Sequence, residues 1–140
     1  MRAPVLLLAC LLAASPAARA DIAIIANPAG PAKQLTVTEV RDLYLGRLKA
    51  FANGTFVQVF DHRRDAEIRG RFFHAVAGMS PSQVNAYWSR LTFSGQVLPP
   101  QVLEDDRAVI NQVRATPTGI GYVSADRVDS SVRVLLTLRE

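Results

Sequence analysis

The residues best suited to chemistry stand together in one run, Phe56 to Phe73, FVQVFDHRRDAEIRGRFF. Its opening, Phe56 to Phe60, is apolar and rich in β-formers, as a strand requires. Asp61-His62-Arg63-Arg64-Asp65 follows, the densest charge on the chain. After it Ile68, Phe72 and Val76 recur at helical spacing. A strand therefore passes into a helix through a basic turn. The first turn of a helix presents unpaired backbone N–H groups and a partial positive charge. Arginines beside it add planar forked donors that match phosphate or carboxylate. The chemistry this allows is oxyanion binding by Arg63 and Arg64, with Asp65 at the helix start and Arg69 one turn further on contributing from the side. The competing reading is a solvated turn whose charges neutralise one another.

Other constellations are weaker. His62 and His74 with Asp61 or Asp65 have no recognised ligand spacing, so both histidines are expected to be ordinary exposed or half-buried residues and no metal is expected. Ser80 and Ser94 stand outside any Gly-x-Ser-x-Gly elbow. Glu104, Asp105 and Asp106 suit the start of a helix better than a pair of catalytic carboxylates. Neither an enzyme activity nor a cofactor is expected.

Residues 1–20 form the pattern of a secretory signal peptide: Arg2, the apolar run Val5 to Ala14, and the small-x-small site Ala18-Arg19-Ala20. The run is too short for a membrane span, so no insertion is expected after cleavage. A lipoprotein box at Leu7-Leu8-Ala9-Cys10 is the disfavoured alternative, because cleavage there leaves a second apolar run on the product. Removing 20 of 140 residues leaves 120, enough for a single domain, 21–140, in the periplasm or outside the cell. Cys10 is the only cysteine and leaves with the leader, so the fold is held by its core alone. Arg2 and Arg19 leave too. The basic count falls from 16 to 14 against 12 acids, a balance too even to point to nucleic acid.

The elements that must hold the basic turn follow in order. Asp21 to Ala26 is a short buried strand, closed by the breaker Asn27-Pro28-Ala29-Gly30-Pro31. Thr36 and Glu39 have capping-box spacing and open a helix that Gly46 ends. Asn53-Gly54 is a turn into the strand Phe56 to Phe60. A helix from about Ala66 to Ala77 ends at Gly78, and Ser80-Pro81-Ser82-Gln83 caps the next, with Val84, Tyr87, Trp88 and Leu91 as its apolar stripe. Phe93 to Pro100 is a loop. Acids at 104–106 begin a further helix that Thr116-Pro117 stops, and Ile120 to Val123 and Val132 to Leu138 are strands. Gly119 and Gly121 allow close backbone approach within the sheet. The order β-α-β-α-α-α-β-β indicates an α/β fold, a mixed sheet flanked by helices in two or three layers.

Three motifs in order carry a resemblance. Tyr44-Leu45-Gly46 with Phe51 and Gly54, the strand and turn Val57 to Asp65, and Thr118-Gly119-Ile120-Gly121-Tyr122-Val123 are similar to segments of the periplasmic phosphate-binding proteins of ABC transporters. The chain resembles short secreted proteins that carry one such lobe. The resemblance implies a phosphate-binding-like module linked to phosphate uptake. It also departs from the family: the length suffices for one lobe where the family closes two around its anion, and the hydroxyl-rich anion loop is replaced by Asp65-Ala66-Glu67-Ile68-Arg69. Two functions stay open. One is a solute-binding module for phosphate or a related oxyanion, its site completed by a protein partner or a second copy. The other is a protein-interaction domain that keeps the fold without the ligand.

Overall fold

The computed structural model describes residues 20–95 and 97–139; the expected leader lies almost wholly outside them. Among the described residues, five strands and four α-helices follow in this order: β1 (Ile22–Ala26), α1 (Val37–Tyr44), β2 (Gln58–His62), α2 (Glu67–Ala77), α3 (Pro81–Ser94), β3 (Gln101–Leu103), α4 (Asp106–Ala115), β4 (Gly119–Ser124) and β5 (Arg133–Leu138), with a 3-10 turn at Ala125–Arg127. The helix ends are where local chemistry puts them. The Thr36–Glu39 and Ser80–Gln83 capping boxes both close reciprocally. Gly78 ends α2 in the left-handed region at φ 61°, a conformation that costs other residues a Cβ clash.

The strands lie in the order β3-β2-β4-β1-β5. β2 is parallel to both β3 and β4, whereas β1 runs antiparallel to β4 and β5. Along β1, Ile22, Ile24 and Ala26 enter one core and Ala23 and Ile25 the other. The sheet is thus buried on both faces, which explains why β1 is apolar throughout rather than alternating. α1, α2 and α3 cover one face around Tyr44, Phe72, Phe73 and Trp88. α4 covers the other with Val109, Ile110 and Val113. The architecture is therefore three-layered. A Cβ on Gly121 would stand 2.5 Å from a methyl of Val109, so its absence lets α4 seat directly on β4.

The structure departs from the sequence expectations at three places. β2 occupies 58–62 rather than the expected 56–60, and Phe56 stands outside it, exposed. α3 continues through Phe93 to Ser94, so the loop is shorter than expected. β3, at the sheet's edge, directly follows that loop in a segment where no strand was expected; three residues pairing only with β2 among the described residues carry too little periodicity to be read locally.

Candidate functional site

β2 ends at His62, β3 at Leu103 and β4 at Ser124, all at one end of the parallel strands. From β2 the chain proceeds through α2 and α3 to β3 on one side, then through α4 to β4 on the other. The reversal places a crevice between β2 and β4 beyond their carboxyl ends, the position where open α/β sheets receive ligands. A cavity of about 410 Å³ occurs there, lined by His62, Ala66, Ile68, Glu104, Asp106 and Arg127, with Asp105 and Arg107 completing the wall.

The start of α2 borders this crevice. Its N-cap, Ala66, supplies no side-chain hydrogen bond, unlike the N-caps of α1, α3 and α4. Arg63 and Arg64 are exposed on the turn before it. Arg63 donates from Nη2 to Asp65 Oδ2 and from Nη1 to Glu104 Oε1, each at 3.0 Å. Its charge is therefore shared with two carboxylates, while Arg64 makes no ion pair among the described residues. Across the crevice, α4 is capped by Asp105, and Asp106 accepts the Ser124 backbone N–H at 3.2 Å.

His62 is buried against expectation, at 2 % exposure. Strand alternation turns it to the α4 side. Its Nε2 lies 2.7 Å from the Tyr122 carbonyl and 3.5 Å from Asp106 Oδ1. A carbonyl can only accept, so Nε2 carries the proton and bridges β2 to β4 at the crevice floor. His74 is exposed, as expected.

Arg69 stands apart from the other three expected site residues. Positions 69, 72, 73 and 76 form the buried face of α2, so helical geometry carries Arg69 inward rather than to the side of the turn. There its Nε donates to Asp61 Oδ2 at 3.2 Å, its Nη1 to Asn85 Oδ1 at 3.1 Å, and its guanidinium lies 5.1 Å from the Phe73 ring. Tyr122 Oη donates to the other oxygen of Asp61 at 2.5 Å. Burial, then the charge of Asp61, raises the Tyr44 and Tyr122 hydroxyls well above their ordinary range. Arg69 thus anchors α2 to β2 and α3, with Tyr122 of β4 joined to the same carboxylate of Asp61, and it fixes the helix whose open end borders the crevice.

A larger groove of about 820 Å³ lies elsewhere, lined by Val37, Gly70, Arg71, His74, Thr137 and Arg139 among others. Arg71 there donates to the Ala20 carbonyl at 2.5 Å. That groove touches no strand end of the parallel set, and we assign the candidate site to the crevice.

The fold, one α/β lobe, is similar to part of several solved solute-binding proteins. The structure matches a Clostridium perfringens protein described as a phosphate ABC transporter substrate-binding protein, solved with bound phosphate (TM-score 0.69, 20% identity, covering 84% of this chain and 45% of that one). It also matches an ABC-type phosphate transport receptor from Vibrio cholerae (0.67, 20%, 84% and 46%) and PstS from Borrelia burgdorferi (0.65, 12%, 84% and 47%). The chain spans under half the length of these proteins. No family model and no curated protein matches the sequence. The likeness at these identities is one of fold. Among the described residues, no helix is long and apolar enough to cross a membrane.

Proposed function

We propose that this chain is a periplasmic or secreted solute-binding module that takes phosphate or a related oxyanion at the crevice, in connection with ABC-type phosphate uptake. One observation carries the reading: α2 starts without a side-chain cap at the carboxyl end of β2, with Arg63 and Arg64 on the turn beside it. The anion would meet Arg63, Arg64 and the first backbone N–H groups of α2. Asp65 orients Arg63, and Arg69 acts only by holding the helix in place. Glu104, Asp105 and Asp106 on the same crevice oppose a negative charge, and one side of the site is open to water, where attraction is weak and screened. Affinity for the single lobe is expected at about 0.1–1 mM, improving when a partner protein or second copy closes the open side.

Calorimetric titration with phosphate and with sulfate tests this. Binding by the wild type that is lost in Arg63→Ala/Arg64→Ala, with an unchanged circular dichroism spectrum, supports the site. No heat at millimolar anion, or equal binding by the double variant, removes it. The second reading, a protein-interaction domain without a ligand, is favoured by the pairing of Arg63 with both Asp65 and Glu104, which already spends its charge.

A further inference from the structure

A second cavity, of about 510 Å³, adjoins the crevice along α4. Asp106, Arg107 and Arg127 line both, so the two share a wall. Arg107, Ile110, Asn111 and Arg114 stand at i, i+3, i+4 and i+7 on one face of α4 and form one side of this groove. Arg127, on the 3-10 turn after β4, and Asp129 complete it. Seven residues at 1.5 Å each set Arg107 and Arg114 about 10 Å apart along the helix axis. All three arginines are exposed. Arg107 and Arg127 have no hydrogen-bond or ion-pair partner among the described residues, and Arg114 donates from Nη2 to Asn111 Oδ1 at 3.0 Å. Both carboxylates of the groove are engaged. Asp106 accepts the Ser124 backbone N–H and lies 3.5 Å from His62 Nε2. Asp129 accepts the backbone N–H of Ser131 at 2.8 Å and its hydroxyl. The charge balance is the reverse of the crevice's: three carboxylates against two arginines line the crevice, and three arginines against two carboxylates line the groove.

We propose that the ligand is a linear condensed phosphate, held at one end in the crevice and at the other in the groove along α4 by Arg107, Arg114 and Arg127. The inference rests on the crevice reading and extends it. Orthophosphate is compact and meets the guanidinium groups at only one end of a row about 10 Å long. A chain of phosphoryl groups carries anionic oxygens along its length and pairs with several planar guanidinium forks at once. Such pairs at an open surface are individually weak, so a ligand gains affinity from this wall by its length. Repulsion from Glu104, Asp105 and Asp106 is also lessened for a ligand that places part of its charge beside the arginines. The groove suits neither a nucleotide nor a lipid. Among the described residues no aromatic ring lines it for a base to stack on, and its one apolar residue, Ile110, is buried.

Calorimetric titration with sodium tripolyphosphate and with orthophosphate, at about 150 mM salt to screen diffuse attraction, tests the proposal. Tripolyphosphate is expected to bind at least about tenfold more tightly. Arg114 lines the groove and not the crevice. Arg114→Ala is therefore expected to weaken tripolyphosphate about threefold, the scale of one exposed charge pair, and Arg114→Glu to weaken it further, with orthophosphate unchanged in both. An unchanged circular dichroism spectrum separates lost binding from lost fold. Equal affinity for the two phosphates, or an Arg114→Glu protein that binds tripolyphosphate as the wild type does, overturns the proposal and leaves the crevice reading standing. So does citrate, a compact anion, if it binds as tightly as tripolyphosphate and with the same dependence on Arg114. Tripolyphosphate binding that needs Arg114 and survives Arg63→Ala/Arg64→Ala, with no orthophosphate binding at all, removes the crevice reading instead and retains the groove as the site. No binding of either phosphate at millimolar concentration overturns both.

Discussion

Asp61 and Asp65 are four residues apart at the end of one strand, and each carboxylate faces an arginine. The Asp61–Arg69 pair is almost fully withdrawn from water, at 3% and 6% side-chain exposure, and Tyr122 and Asn85 add hydrogen bonds to it. The Arg63–Asp65 pair lies in solvent, at 50% and 73%. Their near-equal distances, 3.2 and 3.0 Å, conceal opposite energetics. A buried pair is costly to break because the survivor is left charged without solvent, whereas an exposed pair is worth little because water replaces the lost partner. One pair builds the fold. The other leaves its arginine free to exchange partners, which an anion-binding side chain must be able to do.

Breaking the buried pair gives the largest effect. Arg69→Ala is expected to cost about 3–5 kcal/mol by urea denaturation, and Asp61→Leu/Arg69→Met to recover most of that loss by removing the stranded carboxylate as well. A loss under about 1 kcal/mol for the single variant would place the pair in solvent and erase the contrast. Tyr122→Phe removes one donor to Asp61 while keeping the ring stacked 3.8 Å from Phe72, and about 1.5–3 kcal/mol is expected.

The same network has a pH signature. The folded state raises the Tyr44 and Tyr122 hydroxyls above their unfolded values, so each favours the folded protein below the unfolded tyrosine range. That stability is lost as pH rises from about 10 toward the folded values, because there the unfolded chain releases protons that the native state retains. Stability should fall by up to about 1.4 kcal/mol per pH unit for each of the two hydroxyls. Tyr122→Phe should show a shallower alkaline slope, and equal slopes for the two proteins would mean that Tyr122 titrates freely. Smallest of all, Arg63→Ala is expected to change stability by less than about 1 kcal/mol while weakening any oxyanion titration, a separation of fold from binding that Arg69→Ala cannot show.

Much of the chain is legible locally. Caps at Thr36 and Ser80, the stops at Gly46 and Gly78, and the apolar spacing of α1, α2 and α3 involve residues within four positions of one another, and short-range chemistry decides them. Trp88 packs with Val84 in the core, as its stripe requires. The candidate site is only half legible. Arg63, Arg64 and Asp65 announce a charged turn, but the carboxylates and arginines opposite come from residues 104–107 and 127, and no spacing rule links those positions to the turn.

Strand alternation and the period of α2 were sufficient in principle to turn Asp61 and Arg69 toward one side, yet a charged residue on an inward face is ordinarily read as solvated until its partner is known. The sequence by itself determined the α/β class, most element boundaries and the placing of a basic turn before a helix, because backbone hydrogen bonding and hydrophobic period act within a few residues. Only the tertiary structure decided that β3 borders β2, that His62 lies buried between β2 and β4, and that of two arginines six residues apart one belongs to the core and the other to the crevice. Those outcomes depend on which distant groups are available to satisfy a charge once water is excluded, and that is settled only when the sheet and helices close around it.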